Sequence, residues 1–223
     1  MSAMVGVAMS APRPGLDRLL ASGQVRYGRS VARRAPAEWG YAEVAGRFVE
    51  IGPGGGEGAS CLTVAAGLVR DAQAQREPVA WIAPPASIFY PPDLADHGVD
   101  LAALAVVRPP DLAAALRAAD ELLRSAAFGL VVLDRAEPRQ MPMPVQVRLA
   151  NLAQQHDAAF VCLCREVLDG SLASLRLTTF LRRLPVGPDD PVPRFEYGFE
   201  AVKDKRRGRR WTWRSTCSGP PGL

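Results

Sequence analysis

Two stretches of this chain carry residue types whose spacing suits chemistry. Residues 50–62, EIGPGGGEGASCL, crowd glycines after an apolar run and ahead of an amphipathic stretch. In a strand-to-helix turn of that kind, backbone N–H groups cradle phosphate, a lysine neutralises it and a Ser or Thr hydroxyl holds Mg²⁺. Residues 203–214, KDKRRGRRWTWR, interleave basic residues with tryptophans, a mixture that grips phosphates and stacks on unpaired bases. The first stretch lacks its cation, because no lysine precedes Lys203. Aligned from Gly52, the lysine position falls on Gly58 and the hydroxyl position on Ala59. Shifted by one, Gly58 keeps the last glycine, Ala59 replaces the lysine and Ser60 keeps the hydroxyl. Gly52, Pro53, Gly54, Gly55, Gly56, Glu57, Gly58, Ala59 and Ser60 therefore read as a degenerate phosphate loop. In the first register Glu57 also puts a like charge where a triphosphate would sit.

The second stretch holds seven basic residues and one acid, or +6, out of a formal net charge of +4 for the whole chain. Residues 1–34 carry +5, and residues 35–202 carry −7. An acidic body with two basic ends points to an anionic partner met by the ends. Lys203, Lys205, Arg206, Arg207, Arg209, Arg210, Trp211, Trp213 and Arg214 are the candidate contacts, with single-stranded DNA or an acidic protein as ligand. Trp211 and Trp213, two apart on a strand, share one face, so they stack on bases or pack on the core. Elsewhere the chemistry is thin. Cys61, Cys162, Cys164 and Cys217 show no CxxC spacing, and His97 and His156 are isolated, so no metal site, no cofactor and a reduced, cytoplasmic protein are expected. No apolar run is long enough to span a membrane, and MSAMVGVAMSAPRPG has no basic segment of the kind that opens a secretory signal.

These residues need elements to position them. Residues 46–51 read as a short strand entering the glycine turn, and 59–76 as a helix with apolar residues at helical spacing. PVAWIAPP is a buried strand stopped by prolines. Residues 110–127 form a helix opened by Pro110 and Asp111, followed by the continuous apolar strand FGLVVLD, which ends at Asp134. VQVRLANLAQQHD is a helix, AAFVCLC a strand, and ASLRLTTFLRRL a strand or strand pair. RFEYGFEAVKDKRRGRRWTWRS alternates on both sides of KRRGR and reads as a terminal hairpin. Strands alternating with helices predict a doubly wound, mostly parallel α/β sheet, with helices on both faces and a C-terminal antiparallel β-hairpin. The expected organisation is a basic, partly disordered arm at 1–34, one domain at 35–214 and a disordered tail at 215–223.

In that order the motifs resemble the RecA-type recombinases. GRFVEIGPGGGEGAS is similar to their strand and phosphate loop, GRxVEIxGPESSGKTT. FGLVVLD resembles their Walker B strand, with Asp134 as its acid, and FEAVKDKRRG resembles their VxVVKNKxxxP stretch. SGQVRYG echoes the segment through which one protomer adds a strand to its neighbour, which marks Val25, Arg26 and Tyr27 as an interface of RecA type. The resemblance runs from about residue 16 to 214. The family's catalytic parts are replaced. Pro85 lies near the position of the water-activating glutamate and Cys164 near that of the γ-phosphate-sensing glutamine, while EPRQMPMPV and REVLDGSLA are short where the family has DNA-binding loops. The implied chain has no ATPase or recombinase activity and is not an enzyme.

A RecA-like core of this size without catalysis, ending in a basic hairpin, resembles the ImuA family of DNA-damage-induced accessory factors of translesion mutagenesis. That resemblance implies RecA and an ImuB-like relative of the Y-family polymerases as partners. SulA-type inhibitors of the division GTPase FtsZ share such a core, as does the remaining alternative, a weak nucleotide-binding ATPase. Lys203 and Lys205 match the two lysines that reach a neighbour's ATP in RecA filaments, which implies a protomer with one competent face that caps or interrupts a filament.

Overall fold

The computed structural model describes residues 38–54, 59–85, 87, 89–134, 140–165, 170–185, 193–208 and 210–218, all within one unit, Ala32–Leu223. Its strands are β1 (Phe48–Pro53), β2 (Val79–Ile82), β3 (Leu104–Val107), β4 (Leu130–Leu133), β5 (Ala159–Leu163), β6 (Leu175–Arg183), β7 (Arg194–Asp204) and β8 (Trp211–Ser218). The helices are α1 (Ala59–Ala74), α2 (Pro91–Asp96), α3 (Leu112–Arg124) and α4 (Met143–Gln155). All eight strands join one sheet in the order β3-β2-β4-β5-β1-β6-β7-β8. The pairs from β3 to β6 are parallel, and β6-β7 and β7-β8 are antiparallel. The expected α/β class, mostly parallel with an antiparallel hairpin at the end, is the class observed.

The central strands LVVL and AFVCL are buried at every position, because parallel strands here are covered on both faces. Alternation along β1 divides the core in two. Val49 and Ile51 join Val64, Leu68 and Val69 of α1, with Trp81, Val132 and Val161. Phe48 faces the other way, with Ala115, Ala119 and Leu123 of α3, Leu149 and Ala153 of α4, and Phe160. In α3 the buried residues recur every four positions, so one stripe faces the sheet. Its start follows the sequence signal, since the Asp111 carboxylate accepts from Ala114 N and so caps an orphan donor. In α4 the buried Gln146 ties two loops together, donating to Met141 O and accepting from Leu172 N.

Two differences from the sequence reading stand out. The edge strand β3 and the short α2 were not foreseen, because four residues, LAVV, at a half-exposed edge show no full alternation. ASLRLTTFLRRL, expected as a strand or strand pair, holds the single strand β6. β8 runs past residue 214 to Ser218, with Tyr197↔Ser215 and Arg194↔Ser218 in its ladder. The last strand therefore extends past the boundary expected at 214, and residues 219–223 lie outside the described residues.

The chain leaves α1, α3 and α4 through left-handed residues that are not glycine: Arg76 (φ 63°), Ala126 (φ 54°) and Asp157 (φ 51°). Helices commonly end in this conformation, and glycine adopts it without the steric penalty of a Cβ. Ala126 has neither that freedom nor a polar side chain to offset it.

Candidate functional site

The first candidate region is the carboxyl edge of the parallel strands, where β1, β4 and β5 end beside the start of α1. β1 stays paired with β6 to its last residue, Pro53↔Thr179, and Gly54 N then donates to Thr179 O at 2.8 Å. A Cβ at Gly54 would lie 2.7 Å from Thr178 Cγ2 and 2.9 Å from Thr179 O, so only glycine fits against β6. Gly55, Gly56, Glu57 and Gly58 lie outside the described residues, as does the side chain of Ala59. Ser60, at the start of α1, is buried, with Oγ 2.7 Å from Thr179 Oγ1. Thr179 Oγ1 donates its one proton to Gly52 O at 3.1 Å. The Ser60 hydroxyl and the Cys61 thiol, 3.3 Å away, therefore donate to the lone pairs of Thr179. Burial pushes the Cys61 thiol up, against the pull of its Thr179 and Ser60 hydrogen bonds, and Asp134 adds to the rise.

Asp134 directly follows β4 and is 1% exposed. Its backbone N donates to Ile82 O, and its Oδ2 accepts from Ser87 Oγ at 2.5 Å. Ser87 Oγ in turn accepts from Phe89 N, so the proline-rich segment after β2 is held against the acid. Pro85, near the position of the family's glutamate, is exposed in the same segment. Cys164, just past β5, is buried and directs Sγ at Cys162 O, 3.6 Å away.

The second region is the hairpin of β7 and β8. Arg47 and Asp204 form an ion pair of 2.7 Å with side chains 2% and 0% exposed. Asp204 also accepts from Trp211 Nε1 at 3.0 Å and from the backbone N–H groups of Arg206 and Arg207. Burial by itself raises the Asp204 carboxyl, but Arg47, Trp211 and the Arg206 N–H outweigh it and hold the group below the usual carboxylate value. Arg47 moves down, because burial exceeds the pull of Asp204. We take the pair as ionised, since so many donors converge on one carboxylate.

The hairpin tip folds back onto the domain. Arg206 donates to Ala45 O at 2.6 Å. Arg207 reaches Glu43 at 2.6 Å and lies 5.5 Å over the Trp211 ring. Gly208 adopts φ +72° in the reversal. Lys203 points to the opposite face from Asp204, donating to Ser171 O at 3.4 Å. There it adds its charge to a second buried pair, Glu50–Arg176 at 3.0 Å. Burial raises the Glu50 carboxyl, while Ser171, Arg176 and Lys203 pull it down.

The basic run thus separates into parts with different surroundings. Lys205, Arg210 and Arg214 are exposed, the last two beside Glu200 and Glu196 at 3.4 and 3.7 Å. Trp211 is 8% exposed and packs edge-on against Phe199, so its ring offers no face to a base. Trp213 stacks on Phe199 at 5.6 Å and meets Tyr197 edge-on. Of the two uses left open for these tryptophans, Trp211 takes the core, while Trp213 is part-buried and packs against it. Arg209 lies outside the described residues, as do Val25, Arg26, Tyr27 and the arm at 1–34.

Residues that the sequence did not mark turn out to organise both regions. Thr179 and Ser87 satisfy the loop edge, and Arg47 and Glu43 anchor the hairpin. Their partners lie far away in the chain, so no local pattern announces them. Among the described residues no cluster of His, Cys, Asp and Glu is arranged to hold a metal, and no helix is long and apolar enough to cross a membrane.

No protein-family model and no curated protein matches the chain. Among solved structures it is similar to SulA from Pseudomonas aeruginosa, with 26% identity over 53% of this chain and 98% of that one, at a TM-score of 0.45.

Proposed function

We propose that this chain is a non-catalytic adaptor with a RecA-like core, acting in DNA-damage-induced translesion mutagenesis in the manner of ImuA. It binds a RecA protomer, an ImuB-like polymerase relative, or both, and limits the RecA filament by presenting a face that does not turn over ATP. The supporting observation is the state of the strand edge. The groups that a nucleotide and its Mg²⁺ would need are engaged with one another: Gly54 N with Thr179 O, Ser60 with Thr179, and Asp134 with Ser87. With no lysine before Lys203, a triphosphate at this edge would break these bonds and gain no cation, which leaves no means of phosphoryl transfer. Titration calorimetry with ATP and Mg²⁺ tests the inert loop. No saturable heat is expected, and micromolar binding would overturn it.

The partner half of the reading is tested separately. Lys203 is held at Ser171 O, while Lys205 is exposed, so Lys205 is the lysine available to a neighbour. Pull-down of RecA with an ATP analogue should weaken in the Lys203→Ala/Lys205→Ala protein. Equal recovery by both proteins sinks the filament-capping role. Two-hybrid pairing against ImuB and FtsZ separates the adaptor from a division inhibitor.

A further inference from the structure

The antiparallel end of the sheet has one face that α1 does not cover. Thr179, Phe199, Ala201 and Trp211 point toward the α1 side, where Phe199, Ala201 and Trp211 join its core. Alternation sends their neighbours to the other face, where α3 and α4 pack on β1, β2, β4 and β5 instead. Three cross-strand rows occupy that face: Thr178–Glu200–Thr212, Phe180–Gly198–Arg214 and Arg182–Glu196–Thr216.

The middle row is built around a glycine. A Cβ at Gly198 would lie 2.2 Å from Trp213 O and 2.9 Å from Phe180 Cζ, so Gly198 is what lets the part-exposed Phe180 ring lie across the sheet. Exposed arginines share this face of the sheet with the ring. Arg182, Arg210 and Arg214 have side chains 66, 73 and 63% exposed. Glu196 alone meets two of them, at 2.5 Å from Arg182 and 3.7 Å from Arg214, and Arg210 meets Glu200 at 3.4 Å. These three arginines against two glutamates leave this set of side chains with a net positive charge. Ion pairs made by arginines this exposed contribute little and yield readily to a stronger anion.

We propose that this open face of β6, β7 and β8 binds single-stranded nucleic acid, with phosphates on Arg182, Arg210 and Arg214 and a base on Phe180. A sheet face with a part-exposed aromatic among arginines is the platform on which unpaired bases stack. An acidic protein segment would use the charges and leave the ring idle. The inference deepens the DNA-binding expectation by moving it from the hairpin tip, whose tryptophans pack on Phe199, to the sheet face behind them. It stands apart from the RecA and ImuB readings, which the pull-down and two-hybrid experiments measure independently.

Fluorescence anisotropy of labelled oligothymidylate with the full chain tests it. Wild type should bind, with affinity falling steeply as salt rises. Thr212→Glu/Thr216→Glu puts two negative charges on exposed positions of the edge strand without removing an arginine, and should weaken binding about tenfold or more. Arg70→Glu changes net charge equally on exposed α1, across the sheet, and should leave affinity within about twofold. Phe180→Leu should weaken binding about fivefold or more, as removal of a stacking partner does. Arg182→Gln/Arg214→Gln should lower the salt slope by about 1.4, since each phosphate left without its arginine accounts for about 0.7. Three results would each overturn the proposal: no binding by wild type, equal weakening in the Arg70 and Thr212/Thr216 variants, or competition by polyglutamate with no effect of Phe180→Leu.

Discussion

The loop edge and the hairpin base are both polar regions turned inward, but they are satisfied by different means. At the loop edge the means are single hydrogen bonds: Ser60 and Cys61 to Thr179, Thr179 to Gly52 O, and separately Ser87 to the Asp134 carboxylate. At the hairpin base, a full charge pair, Arg47–Asp204, lies in the interior with Trp211 and two backbone N–H groups around the carboxylate. Neutral hydrogen bonds contribute about 1 kcal/mol each and can be removed one at a time. Removing one partner of a buried ion pair strands the other charge and costs about 3–5 kcal/mol. The hairpin is therefore locked as a unit, while the loop edge is a set of small, separable interactions.

Asp204→Asn is the strongest way to break that contrast. It keeps the shape but leaves Arg47 without its counter-charge, and urea unfolding should register a loss of about 3–5 kcal/mol. A loss below about 1 kcal/mol would mean that the pair is not the lock. Proton linkage gives a second measure. The folded carboxyl of Asp204 is depressed, so its contribution is present above the unfolded value of about 3.9 and disappears as pH falls through the lower folded value. The urea midpoint of wild type should fall through that acid window more steeply than that of Asp204→Asn, and parallel pH profiles would contradict the assignment.

Thr179→Val tests the loop edge with a smaller expected effect. It deprives Ser60 and Cys61 of an acceptor and Gly52 O of a donor, for a cost of about 1–3 kcal/mol in the same measurement. A cost equal to that of Asp204→Asn would erase the distinction between the two regions. The smallest effect is expected away from both. Ala126→Gly relieves the left-handed residue after α3 and should stabilise by about 0.5–1 kcal/mol, visible as a raised thermal midpoint.

Much of the architecture is legible in residue order. FGLVVLD and AAFVCLC are continuous apolar runs, and continuous runs of that length belong to strands covered on both faces. Asp111 marks the start of α3, and alternation around KRRGR marks the hairpin. β3 escaped because four half-exposed residues hold too few repeats to show a period. The end of β8 was missed because RSTCS contains no apolar alternation, and its strand state comes from the ladder with β7. The candidate sites were legible in type but not in use. Trp211 and Lys203 look alike to sequence as parts of one basic, aromatic run, yet Trp211 enters the core and Lys203 turns to Ser171.

By itself the sequence determined the class of fold, the absence of a lysine in the glycine turn and the concentration of positive charge at the chain's ends. Those are properties of local pattern and composition, and they survive any arrangement of the rest. Only the tertiary structure decided which cations remain available. Arg207 is tied up by Glu43, whereas Arg182, left unmarked by the sequence, stands beside Arg214 on an open face. The reason is the two-residue period of a strand. It assigns neighbours to opposite faces, and only the packing of α1 against one of them settles which side is interior.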